Sequence, residues 1–252
     1  MRSASTRNQA APAAALSEAP AHVAVVTGAG RGIGAAIAAG LAAEGMRVAL
    51  LARTASELQA VAERIQARGG QALALQTDIT DARQVEAAVA SVAERLGVVD
   101  VLVNNAGVVI VQPLVEMRRA TWERVIGTNL TGAFLCCRAV LPGMLRKEWG
   151  RVINIASISG RVGTPKLTAY CASKWGLLGF TKALAEEVRQ ASITVNAICP
   201  GSVDTAMLRQ SRPGERPDME PDDIADAVCF LASERAKRIT GAVIDIFGAQ
   251  SL

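Results

Sequence analysis

Short apolar runs recur along the chain and alternate with longer stretches in which apolar positions return every three or four residues. The runs at 23–27, 47–53, 72–78, 100–103, 151–156, 193–198 and 242–246 read as strands. Several of them, such as Val23-Ala24-Val25-Val26, are apolar at successive positions, which suits a parallel sheet covered on both faces. The intervening periodicity predicts helices over 35–44, 55–67, 82–95, 118–147, 168–189 and 221–233. The fourth of these carries Pro142, where an interruption is expected. The stretch between Thr205 and Pro221 reads as a polar loop. Strand and helix alternate with no shift of composition, which predicts one doubly wound α/β domain over residues 21–252, with about seven parallel strands and helices on both faces. Ligands of such sheets bind beyond the carboxyl ends of the strands, where Thr27, Asp78, Asn104, Ser157 and Pro200 fall.

Composition narrows this picture by exclusion. Half of the 252 residues are hydrophobic, enough for a sizeable core, and aromatics make up only 3%. The 27 basic and 23 acidic residues are dispersed, so the net charge of +4 forms no block that would mark a nucleic-acid or membrane partner. No uninterrupted apolar run reaches the ~18 residues of a spanning helix. Cys136, Cys137, Cys171, Cys199 and Cys229 lack metal-ligand spacing, and His22 is the single histidine, so no metal site is expected. Reduced cysteines packed as small apolar residues fit the cytoplasm. Residues 1–20 are rich in Ala and Ser, carry Arg2 and Arg7 with no acid before Glu18, and read as a disordered tail.

Two stretches carry candidate chemistry. After the first strand comes Gly28-Ala29-Gly30-Arg31-Gly32-Ile33-Gly34 and then a helix, an order that makes a phosphate site from a permissive loop and free helix N–H groups. A simple turn would use the same residues. Tyr170 and Lys174 stand four apart on one face of a predicted helix, a spacing that places the ammonium where it could lower the phenol pKa. Ser157 sits at the tip of the fifth strand, where its hydroxyl could bond the same substrate oxygen; Ser159 is its rival. Isolated Tyr/Lys pairs are common on surface helices, so the weight falls on the company these residues keep.

That company resembles the short-chain dehydrogenase/reductase family from Val23 to Gly248. Thr27-Gly28, Gly32 and Gly34 match its cofactor loop, Asn104-Asn105-Ala106-Gly107 its fourth-strand motif, and Ser157, Tyr170 and Lys174 its catalytic set. Asn129 matches the fourth catalytic member; Pro200-Gly201 with Val203 and Thr205 match the segment receiving the nicotinamide end. The resemblance implies a Rossmann-type fold and a homotetramer or dimer. It makes Tyr170 the acid in ketone reduction or the base in alcohol oxidation, with Lys174 lowering its pKa and holding the ribose. Ser157 would polarise the substrate carbonyl, and Asn129 would hold a water linking Lys174 to solvent. Asp78 and Ile79 would lie by the adenine. Where an NAD site usually presents an acid, the second strand ends in Ala52-Arg53, and Arg31 lies in the loop; two cations suit the 2′-phosphate of NADP(H) over NAD(H). Within the family the chain is similar to 3-oxoacyl-carrier-protein reductases, although the segment after Thr205 is shorter than their lid. The expectation is an NADPH-dependent reductase of a small or medium carbonyl compound, possibly a 3-oxoacyl thioester. An NAD-dependent alcohol, polyol or sterol dehydrogenase is the alternative, and a non-catalytic nucleotide-binding scaffold the remaining class.

Overall fold

The computed structural model describes residues 21–248; the tail expected over 1–20 lies outside them. Among the described residues seven strands form the sheet: β1 (Val23–Thr27), β2 (Arg47–Ala52), β3 (Gln71–Gln76), β4 (Val101–Asn104), β5 (Gly150–Ile155), β6 (Ile193–Pro200) and β7 (Val243–Ile246). The helices are α1 (Gly32–Ala43), α2 (Ala55–Ala67), α3 (Ala82–Arg95) and α4 (Arg119–Ile126), followed by α5 (Gly132–Lys147), α6 (Thr168–Glu187), α7 (Ala206–Ser211) and α8 (Pro221–Ala232). All strand pairs are parallel, in the order β3-β2-β1-β4-β5-β6-β7. The chain winds outward from β1 in one direction and from β4 in the other, so the crevice of a doubly wound sheet opens between those two strands at their carboxyl ends.

Successive side chains of β1 enter opposite cores. Ala24 and Val26 pack with Ile37, Leu41, Leu50 and Val228 beneath α1, α2 and α8. Val23 and Val25 pack with Val92, Leu102, Val140 and Leu184 beneath α3, α5 and α6. Burial of each such aliphatic side chain contributes about 1.5–3 kcal/mol, which makes the paired faces the anchor for the loops above them. At the amino ends of the strands, Asp100 accepts a hydrogen bond from the Val23 amide at 2.9 Å and pairs with Lys147, while the His22 ring stacks on Trp149 at 4.2 Å.

Three details depart from the sequence pattern. Pro142 lies inside α5 without breaking it. Its ring and Arg138, one turn before it, both stand on the exposed side of the helix. The interruption falls instead at Gly127–Thr131, a π-helical turn between α4 and α5. The expected polar loop contains α7, whose first amides are capped by Thr205 Oγ1 accepting from Leu208 N at 3.2 Å. Finally, Arg119–Lys147 meets a length-and-composition test for a membrane span, with mean hydropathy 1.3 over its most apolar window, although no uninterrupted apolar run reaches that length. It is a core helix here: Cys136, Cys137, Val140 and Met144 are buried against the sheet.

Candidate active site

The cleft begins where β1 ends. Thr27 Oγ1 accepts from the amides of Asn105 at 3.0 Å and Ala106 at 3.1 Å, tying the end of β1 to the end of β4. Asn105 Nδ2 returns hydrogen bonds to the carbonyls of Thr27 and Gly28 at 2.9 and 3.2 Å. This stitching draws the backbone so close that a Cβ on Gly34 would stand 2.3 Å from the Gly28 carbonyl oxygen. Gly28 itself has φ +66°, and a Cβ there would meet Ala106 Cα at 2.8 Å. Arg31, the residue before α1, makes no side-chain cap, leaving the first amides of that helix available to an anion.

The other end of the cleft is built on β5 and α6. Lys174, 4% exposed, donates from Nζ to the Ile155 carbonyl at 2.7 Å and lies 5.7 Å from the Tyr170 ring centroid. Burial lowers the Lys174 pKa to about 8. Burial also raises the Tyr170 pKa, opposed by a hydrogen bond with the Ser157 hydroxyl and by the charge of Arg212. Desolvation thus sets the direction, opposite to the lowering expected from Lys174, and the phenol holds its proton at neutral pH. Ser157 Oγ accepts from the Ser159 amide at 3.1 Å, whereas Ser159 Oγ is engaged with Thr164 Oγ1 at 3.2 Å. That difference favours Ser157 as the hydroxyl available to a substrate.

Asn129 is buried in the π-helical turn. Its Oδ1 accepts from Val108 N at 2.8 Å, and Nδ2 donates to Val108 O at 3.0 Å and Ser173 Oγ at 3.0 Å. Both amide protons are thus used to fasten the loop after β4 to α6, the helix that carries Tyr170 and Lys174. Asn104, expected at the rim, is likewise buried and donates to Asn154 Oδ1 at 2.9 Å, beneath the floor with Thr27.

One cleft of about 1030 Å³ joins the two ends. Every candidate cofactor and catalytic residue lines it except Asn129, which stands behind its wall. Gly28, Gly30, Gly32, Ile33 and Gly34 form one end, beside Arg31 and Arg53. Asp78 and Ile79 form a side wall, and Asp78 Oδ1 also closes a turn by accepting from Thr80 N at 2.9 Å. Asn105, Ala106 and Gly107 lie along the middle; Ser157, Tyr170 and Lys174 face Pro200, Gly201, Val203 and Thr205 at the far end. Thr205 both starts α7 and sets its methyl against Gly32, where a Cβ would lie 3.3 Å away.

The glycine cradle and the unused helix amides fit a dinucleotide's phosphates. Ala52 closes β2 without an acid, and the Arg53 guanidinium has no hydrogen bond or ion pair among the described residues, which fits a 2′-phosphate. Arg31 is different: its Nη1 pairs with Glu57 Oε1 at 3.1 Å. Glu57 and Arg212, both lining the cleft, escaped the sequence pattern, because no local spacing links an α2 glutamate to the glycine loop or an α7 cap residue to Tyr170.

Comparison with known proteins agrees with this geometry. The profile of the short chain dehydrogenase family matches residues 22–216. The 3-oxoacyl-(acyl-carrier-protein) reductase FabG of Staphylococcus aureus is 41% identical over 236 residues, covering 89% of this chain and 96% of its own. The 3-oxoacyl-(acyl-carrier-protein) reductase of Synechocystis is 40% identical over 238 residues, covering 90% and 96%. Among solved structures, a tryptophan-substituted actinorhodin polyketide ketoreductase with NADPH superimposes with TM-score 0.87 at 36% identity, covering 92% of this chain and 97% of that one.

Proposed function

The chain belongs to the short-chain dehydrogenase family, and from that membership we propose that it is an NADPH-dependent reductase of a small or medium carbonyl compound, with a 3-oxoacyl thioester the favoured substrate. The observation that carries the proposal is the convergence of Ser157, Tyr170 and Lys174 with the glycine cradle in one cleft. The relatives' names and the NADPH of the ketoreductase neighbour support the substrate class and the cofactor. Arg53 at the end of an acid-free β2 favours NADP(H) over NAD(H) and weighs against an NAD-dependent alcohol, polyol or sterol dehydrogenase.

When bound, the reduced nicotinamide supplies the hydride; the protein aligns and polarises. The glycine loop and the amides opening α1 would hold the pyrophosphate, and Lys174 would hold the nicotinamide ribose. Ser157 donates a hydrogen bond to the carbonyl oxygen, stabilising negative charge as it builds there. Tyr170, kept protonated by burial, breaks its O–H bond to give that oxygen its proton. Arg212 and the lysine ammonium offset the phenolate that remains. Asn129 acts as a positioning residue through Val108 and Ser173.

Residues 21–252 form the dehydrogenase/reductase domain in this proposal, with 1–20 a tail. The free, mostly buried cysteines suit a cytoplasmic setting. A homotetramer or dimer is the expected working unit. The test is steady-state reduction of a 3-oxoacyl thioester by NADPH, with wild type and Tyr170→Phe. Loss of a general acid should lower kcat by about 10²–10⁴-fold with NADPH binding retained. A Tyr170→Phe enzyme as active as wild type would remove the proposed acid.

A further inference from the structure

Glu57 stands in the first turn of α2 and joins it to the glycine loop through the 3.1 Å contact with Arg31 Nη1. Gly30 makes the approach possible. A Cβ on Gly30 would lie 2.9 Å from Glu57 Cβ and 3.0 Å from Oε2, so any side chain there would press the glutamate away. Arg31, Arg53 and Glu57 therefore share one end of the cleft, at the carboxyl end of β2. Two cations meet one anion where a 2′-phosphate would arrive.

Building on the NADP(H) assignment above, we propose that Glu57 tempers the preference for NADPH by competing with the 2′-phosphate for Arg31. The Arg31 and Glu57 side chains are 74% and 35% exposed, so solvent screens their attraction and the guanidinium can exchange partners at little cost. A phosphate with its larger charge and three acceptor oxygens is the stronger partner for a guanidinium. Once displaced, the partly exposed carboxylate is screened by solvent, so its repulsion of the phosphates that both cofactors carry is weak and does not discriminate between them. A 2′-hydroxyl carries no charge and does not enter the competition for Arg31. Glu57 thus weakens NADPH binding selectively and leaves NADH nearly untouched. It adjusts the ratio between the two cofactors, whereas Arg53 sets its direction.

The experiment is fluorescence titration of NADPH and NADH against wild type, Glu57→Gln, Arg31→Ala, the double variant and Arg53→Ala, at fixed ionic strength. Glu57→Gln keeps the size of the side chain and an acceptor for Arg31 while removing the charge. It should tighten NADPH by about 3–10-fold and move NADH by less than about twofold. In the Arg31→Ala background the gain should fall below about twofold, because the competition has lost its object. Weakened or unchanged NADPH binding in Glu57→Gln overturns the proposal; so does equal tightening of both cofactors, or a gain undiminished without Arg31. The cofactor assignment is read separately. A wild type that does not prefer NADPH and is indifferent to Arg53→Ala defeats that assignment, and Glu57's role falls with it. A wild-type preference that Arg53→Ala abolishes and Glu57→Gln leaves alone defeats only the role of Glu57.

Discussion

Lys174 is held in a place that its charge resists. Its pKa falls to about 8 from 10.5 because it is buried, and among the described residues its hydrogen-bond partner is the Ile155 carbonyl. The unfolded chain keeps this proton up to pH 10.5, whereas the folded chain releases it near 8. Between those values the unfolded state binds more protons, so stability rises with pH across the window; below pH 8 the full penalty is present. The gap corresponds to roughly 3 kcal/mol that a buried ammonium costs at neutral pH. Lys174→Met removes the titrating group. Urea unfolding of both proteins from pH 7.5 to 10.5, free of cofactor, should give a wild type whose stability gains on the variant by about 2–3 kcal/mol as pH rises. Parallel curves would mean that the ammonium is not penalised where it sits. The same burial keeps Tyr170 protonated, so two residues four apart meet one environment with opposite consequences: the base is weakened and the acid is kept loaded.

Glycine plays two roles among the secondary-structure elements, and the two can be separated by substitution. Gly34→Ala places a methyl 2.3 Å from the Gly28 carbonyl oxygen and 2.4 Å from Asn105 Nδ2, so α1 must move away from the turn that joins β1 to β4. A cost above about 2 kcal/mol is expected from overpacking against backbone, together with loss of dinucleotide binding. Gly179 lies on the exposed face of α6, where an added methyl would meet nothing within 4 Å, and Gly179→Ala should stabilise by about 0.5–1 kcal/mol without altering binding. Thermal unfolding and NADPH titration of the two variants check both signs; similar losses in both would deny the glycine loop its special packing. What the sequence made legible follows this same division. Apolar runs and helical periodicity located all seven strands and the helices that cover them, because burial on a sheet face writes a periodic pattern. The glycine loop and the Ser157, Tyr170, Lys174 order were readable because each sits at a strand end or on one helix face. The π-helical turn at Asn129 was not, since a single added residue in a helix leaves the apolar period on either side nearly intact. Nor was α7, whose six residues are too few to show a period, nor the Arg31–Glu57 pair, which joins two elements across 26 positions.

The assembly implied by the family resemblance can be tested on the exposed helix faces. The face under α3, α5 and α6 buries a continuous aliphatic core, yet the outer sides of α5 and α6 still present Phe134 at 43% and Trp175 at 53% exposure. The turn leading into α5 packs closely on α6 at Gly176, where a Cβ would stand 2.9 Å from Leu130 Cδ2. Val115, at 95%, and Leu114, at 63%, are exposed in the segment before α4. Aromatic residues left in water beside a helix pair are the usual core of a self-complementary interface, and pairing about a twofold axis would bury the same residues from each subunit. Sedimentation velocity of the wild type at micromolar concentration should give a mass of about two or four times the 26.2 kDa chain. Phe134→Glu and Trp175→Glu place a carboxylate on these outer helix faces and should shift the protein toward smaller species while near-ultraviolet and far-ultraviolet dichroism stay native. A wild type that sediments as a single chain removes the assembly. A wild-type oligomer that both variants leave intact moves the contact to another face, and with it the reason for these exposed aromatics.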